Sequence, residues 1–242
     1  MRAWGRIARL IGLFLAYLPP HLLSKWITGR SPWPPRFLAA AARIAGARVS
    51  VEGEPLAPHS LAVANHVSWL DILILGGATG AAFVSKAEIG KAPLVGWLAD
   101  QNHTLYIDRA ERGDAHGQVR RIAERLAGPR TLALFPEGTT SHGRHLLPFR
   151  STLLAAVAPP PAGANVRPVA IDYGDAVDAI GWFGGETGLA NFMRVLGRRG
   201  TIPVTIRLLD PLPPLGDRKA LARAAHDAVA AALTSVRRAN TL

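Results

Sequence analysis

The chain has 242 residues, 49% of them hydrophobic and 19% charged. That is one large domain with a sizeable core, and it excludes a disordered chain, which is polar and highly charged. Cysteine is absent, so a disulfide framework, a thiolate zinc site and a cysteine nucleophile are excluded too. The formal net charge of +11 favours an anionic partner: nucleic acid, a lipid surface or a phosphorylated substrate.

Arg2, Arg6 and Arg9 precede an apolar run, Leu10 to Leu18. The run falls short of the roughly 20 apolar residues that span a bilayer, and no small-residue cleavage site follows it. Pro19-Pro20 is expected to stop the helix. A second stretch, His21 to Ile27, carries Leu22, Leu23 and Trp26 and ends at the breaker cluster Ser31-Pro32-Trp33-Pro34-Pro35. Residues 1–35 are therefore expected to form a helical arm in the membrane interface. Its arginines would lie at the headgroups, with Trp4, Phe14, Tyr17 and Trp26 as amphipathic anchors. The alternatives are an arm packed on the domain, or a spanning anchor if the two stretches merge.

From Ala47 two patterns alternate, and residues 36–242 read as a single domain. Val49–Val51, Leu61–Ala64, Ala82–Ser85, Thr104–Ile107, Thr131–Phe135, Val166–Ile171 and Pro203–Leu209 are short apolar or β-branched runs, predicted as strands. Helices are predicted over Asp114–Ala127, with Val119, Ile122 and Leu126 on one face, and over Asp217–Arg238, with Leu221, Ala225, Val229, Leu233 and Val236. Ala158–Ala164 reads as a loop. The alternation predicts an α/β domain with a mostly parallel, covered sheet of about seven strands.

Chemistry-bearing residues follow the predicted strands. After Leu61–Ala64 comes Asn65-His66-Val67-Ser68-Trp69-Leu70-Asp71. Within one helix, residues five apart point about 140° away from each other. With His66 in a turn and Asp71 in the first helical turn, the two meet, and the carboxylate can orient the imidazole as a general base. Ser68 to Asp71 also fits a helix capping box. Phe135-Pro136-Glu137-Gly138-Thr139-Thr140-Ser141 offers backbone N–H groups and hydroxyls to an anion. There Glu137 would accept from a substrate hydroxyl or pair with a basic neighbour. Lys86 and Arg109 end two other strands, and Arg150 precedes a helix-period run. Gathered at one sheet edge, such cations form a phosphate-binding cluster.

In this order, the blocks resemble the glycerolipid acyltransferase family, typified by 1-acylglycerol-3-phosphate acyltransferases. His66 through Asp71 is similar to its His-(four residues)-Asp motif, and Lys86 through Arg109 to its second block, which closes with Ile-Asp-Arg. Phe135 to Thr139 matches the third block. Val166–Ile171, with Pro168, resembles the fourth. The likeness runs from about Ala47 to Leu215. It implies that His66 deprotonates the free hydroxyl of a lysolipid, which attacks the thioester of acyl-CoA or acyl-carrier protein. Asp71 would orient His66, while Lys86, Arg109, Arg150 and the Glu137-Gly138-Thr139 turn would hold the acceptor's head group. Neither a cofactor nor an acyl-enzyme is implied, and no Gly-x-Ser-x-Gly elbow is present.

The acceptor expected on this reading is 1-acyl-sn-glycerol-3-phosphate, converted to phosphatidic acid at the cytoplasmic face of the inner membrane. Threonine stands at position 140, where the family commonly has an arginine near the phosphate. Relatives acting on lyso-ornithine lipid, whose head group lacks phosphate, tolerate that change, and Gly181 to Phe192 faintly resembles them. Lyso-ornithine lipid is therefore the alternative acceptor, and a non-catalytic lipid-binding protein the alternative of another class. Dispersed arginines without a helix-turn-helix argue against nucleic acid. A metal hydrolase would need clustered ligands.

Overall fold

Along Leu61-Ala62-Val63-Ala64 successive side chains enter two different apolar layers, because a strand turns each side chain to the opposite face. The computed structural model describes residues 1–108 and 115–239. All seven predicted strands form: β1 (Ala47–Glu52), β2 (Ser60–Ala64), β3 (Ala82–Lys86), β4 (Leu105–Ile107), β5 (Leu132–Leu134), β6 (Asn165–Asp172) and β7 (Ile202–Leu208). They build one sheet in the order β1-β7-β6-β2-β5-β3-β4. The run β6-β2-β5-β3-β4 is parallel; β7 pairs antiparallel with β6 and carries β1 parallel to itself. The C-terminal ends of β2, β3, β4, β5 and β6 therefore share one edge.

Helices cover both faces: α1 (Arg2–Thr28), α2 (Trp33–Ala45), α3 (Leu70–Thr79), α4 (Ala87–Gly90), α5 (Pro93–Gln101), α6 (Ala115–Ala127), α7 (Gly188–Gly197) and α8 (Arg218–Ala239). One layer packs Leu70, Ile74 and Leu75 of α3 and Val195 and Leu196 of α7 against Ala62, Ala133 and Ile171. The other packs Ile122 and Leu126 of α6 and Leu221 and Ala225 of α8 against Leu61, Leu132 and Val166. Burial on both faces is what makes these strands continuously apolar. Val119 packs half-buried beside the second layer. Asp114, Arg109 and the Val236 side chain lie outside the described residues.

The N-terminal segment corrects an expectation. Pro19 and Pro20 do not end the first helix; α1 runs through both to Thr28. Contacts on either side of the prolines hold its axis, and packing outweighs the lost ladder bonds. Phe14 meets Phe37 and Trp97, and Tyr17 meets Trp33 and Phe37. His21 bonds Ser31 at 2.7 Å and Gln101 at 3.1 Å. The chain turns at Ser31–Pro32, and Pro34 and Pro35 sit in the first turn of α2, where a missing N–H costs nothing. An exposed stripe of α1 carries Trp4, Ile11, Leu15, Leu22 and Trp26, and α1 is long and apolar enough to cross a membrane.

Helix α2 crosses α3 at Gly77, where an added Cβ would lie 2.5 Å from the Ala39 backbone nitrogen. Gly77→Ala should therefore push the two helices apart and cost about 1–3 kcal/mol. Denaturant unfolding checks this; a variant as stable as the parent would contradict the crossing.

Candidate active site

The polypeptide leaves β2 at Ala64, and Asn65 ties this end to β6. Its side chain donates to the Ile171 carbonyl (3.0 Å) and accepts from the Ile171 N–H (2.8 Å). His66 follows in the turn, with α3 starting at Leu70. His66 Nδ1 lies 2.8 Å from Asp71 Oδ2, so the two meet as the turn-plus-helix reading predicts. The same Oδ2 accepts from the backbone N–H of Val67 (2.6 Å) and Ser68 (2.9 Å). Asp71 thus fills both expected roles, orienting the imidazole and capping the chain ahead of α3. The Ser68 half of the capping box is weak, with its hydroxyl 3.4 Å from the Leu70 nitrogen.

Asp71 is fully buried. Its other oxygen, Oδ1, accepts from the Tyr173 hydroxyl at 2.6 Å. Four donors around one carboxylate satisfy the charge that burial would otherwise penalise. An acceptor so placed fixes the proton on His66 Nδ1. Nε2 then keeps its lone pair, and among the described residues nothing bonds to it. The imidazole stacks on Phe135, ring centres 4.1 Å apart, and 17% of it reaches solvent. That is the arrangement of a general base with one working nitrogen.

Glu137 is the second correction. Expected at the substrate, it is instead buried, 3% exposed, with its oxygens turned inward. Oε1 accepts from the His66 N–H at 2.6 Å and Oε2 from the Leu147 N–H at 3.1 Å. Its task is to hold the His66 turn against the loop after β5. Ser141 closes the clamp, its N–H donating to the His66 carbonyl at 3.2 Å. Gly138 turns this loop with φ at +77°, a region that favours glycine.

Burial pushes the Glu137 pKa from 4.5 to about 7, against the lowering effect of the two amide bonds. Its folded pKa is raised, so ionisation opposes folding: stability is fullest below about pH 4.5 and falls as pH rises to about 7. Glu137→Gln should abolish that slope. It should also cost about 1–3 kcal/mol, since an amide can accept only one of the two N–H groups with its oxygen. Denaturation midpoints measured across this range test both effects; a slope retained in the variant would assign it to another group.

Thr139 and Arg150 are exposed beside this loop, and Arg150 is brought there by its N–H bond to the Pro136 carbonyl at 2.9 Å. Lys86 is exposed at the end of β3. With β5 between β2 and β3, it stands two strand spacings from the His66 strand, roughly 10 Å. His66, Asp71, Glu137, Gly138, Thr139 and Arg150 thus gather at one point, with Lys86 further along the edge. Asn65 and Phe135, which open the two motif segments, complete the site together with Tyr173, which the sequence reading did not single out. The one sequence signal for Tyr173 was a hydroxyl just past the late strand.

A turn-borne histidine held by a buried aspartate, at the parallel edge of an α/β sheet, is the arrangement that the acyltransfer reading of the sequence requires. The Acyltransferase family model matches residues 48–172, just over half the chain, and the chain is a member of that family. It is 41% identical over 250 residues to the lyso-ornithine lipid O-acyltransferase of Pseudomonas aeruginosa, covering 96% of this chain and 94% of that one. It is 34% identical to the protein of that name from Brucella abortus, over 95% and 92% of the two chains. The 1-acyl-sn-glycerol-3-phosphate acyltransferase of Neisseria gonorrhoeae is 36% identical, over 51% of this chain and 49% of its own. The crystal structure of the 1-acyl-sn-glycerophosphate acyltransferase from Thermotoga maritima shares the fold, with a TM-score of 0.66 at 22% identity over 96% and 98% of the chains. The chain is an enzyme of the acyltransferase class, which sets aside a non-catalytic lipid-binding protein.

Proposed function

We propose that the protein transfers a fatty acyl group from acyl-CoA or acyl-carrier protein to the free hydroxyl of lyso-ornithine lipid. The observation that carries this acceptor is the near full-length likeness to the lyso-ornithine lipid enzymes, whereas the lysophosphatidate enzyme from Neisseria gonorrhoeae matches about half the chain. It replaces lysophosphatidate, the acceptor first expected. Thr140 agrees with it, for a threonine hydroxyl supplies one neutral hydrogen bond where an arginine would grip a phosphate.

His66 Nε2 takes the proton of the acceptor hydroxyl as its oxygen attacks the thioester carbonyl. The tetrahedral intermediate collapses, the C–S bond breaks, and the leaving thiolate takes that proton from the imidazolium. Asp71 holds the imidazole and balances its transient charge. Lys86, Arg109, Arg150 and the Gly138-Thr139 turn hold the head group, whose ornithine offers a carboxylate. The stripe on α1 seats the enzyme in the interface from which the lysolipid enters, at the cytoplasmic face of the membrane.

Purified enzyme assayed with lyso-ornithine lipid and lysophosphatidate, each with both donors, tests the acceptor. Acylation of lysophosphatidate alone would overturn it. Thr140→Arg should leave lyso-ornithine lipid turnover unimproved. Since a charged hydrogen bond contributes about 1.5–3 kcal/mol, it should raise kcat/KM for lysophosphatidate about tenfold or more.

A further inference from the structure

Five arginines meet in one open hollow. Arg2, Arg6 and Arg9 of α1 face Arg198 and Arg199 of the α7–β7 turn across a space of about 440 Å³, floored by Gly5 and Gly200, with no acidic residue in its lining. Because β7 is antiparallel to β6, this turn opens on the sheet edge that carries His66.

The five are not equivalent. Arg6 Nη1 donates to the carbonyls of Leu196 (3.0 Å) and Arg198 (3.1 Å) where α7 ends, and Nη2 to that of Gly200 (3.3 Å). A cation at a helix C-terminus is stabilising, so Arg6 serves as a bracket between α1 and α7. Arg198 donates to the Thr201 carbonyl at 2.8 Å. Arg2, Arg9 and Arg199 have no hydrogen-bond or ion-pair partner among the described residues. Burial and then the charges of Arg198, Arg2 and Arg9 depress the Arg6 pKa, so the hollow holds a positive potential that its own members feel.

Position says what fills it. At 100° per residue, Trp4, Ile11, Leu15, Leu22 and Trp26 form one stripe, and Arg2, Arg6 and Arg9 fall on the far side of the helix. With the stripe in the acyl region, that far side lies among the headgroups. We propose that the hollow binds the phosphate group of an anionic membrane lipid, gripped by Arg2, Arg9, Arg198 and Arg199 and held in shape by Arg6. The inference rests on the interfacial seating of α1.

The test is flotation of the full-length protein with phosphatidylcholine vesicles, with and without phosphatidylglycerol. The doubles Arg198→Gln/Arg199→Gln and Arg2→Gln/Arg9→Gln both spare the Arg6 bracket. Each should weaken binding to the anionic vesicles roughly fivefold per arginine. Binding to pure phosphatidylcholine, and turnover of detergent-dispersed lysolipid, should not change. Binding to anionic vesicles that survives in both doubles would overturn the proposal. So would displacement of the parent protein by inorganic phosphate as effective as by phosphatidylglycerol, which would make this a free-phosphate site. A raised KM for the acyl donor with vesicle binding intact would also overturn it, assigning the hollow to the donor's phosphates. Failure of the acyltransfer reading shows separately, as a parent protein that binds vesicles and acylates nothing.

Discussion

His66→Ala should lower acyl transfer by a factor on the order of 10² to 10⁴, the usual contribution of a positioned base. The fold should survive. The lost ring takes with it the stack on Phe135, worth about 0.5–1.5 kcal/mol. Asp71 Oδ2 keeps the Val67 and Ser68 amides, and Oδ1 keeps Tyr173, so the buried charge stays satisfied. Turnover of lysolipid, measured beside a thermal melt, separates the two effects. A well-folded variant turning over at the parent rate would remove His66 from the mechanism.

Asp71→Asn should be nearly as severe for activity, again on the order of 10² to 10⁴, because the neutral amide no longer favours the tautomer with Nε2 free. It should be mild for stability. With its oxygen toward Val67 and Ser68, the Asn amide group faces the Tyr173 hydroxyl, which can accept as well as donate. Asp71→Ala differs: it strands the two amides and the hydroxyl in a buried site, at about 1–3 kcal/mol for each unmet group. Circular dichroism melts and turnover on both variants decide the matter. An active Asp71→Asn would reduce Asp71 to a cap.

The sheet was legible because its central strands β2, β5 and β6 are buried on both faces and short apolar or β-branched runs alternate with helix-period ones; only end residues shifted, as at β5, which stops short of Phe135. His66 and Asp71 were legible because their partnership is local, five residues apart in one turn. Tyr173 and Glu137 reach the same turn from 102 and 71 residues away. Nothing in the spacing of a sequence tells which way a distant carboxylate faces, and Glu137 was read outward for that reason. The proline pair misled because the rule for proline concerns a helix alone, whereas Phe14, Tyr17 and His21 anchor α1 to neighbours. The acceptor was obscured because its signal, Thr140, is a missing charge.

The close seam between α2 and α3 at Gly77 and Ala39 bears on how the protein can be handled. The N-terminal segment is a structural wall whose inner side supports the helix that carries Asp71. Trimming it at residue 30 would bare Phe37 and Trp97, which α1 covers, and a cut at 35 would fall inside α2. A detergent-free preparation is therefore better sought by replacing the outward Trp4, Ile11, Leu15, Leu22 and Trp26 with polar residues than by shortening the chain.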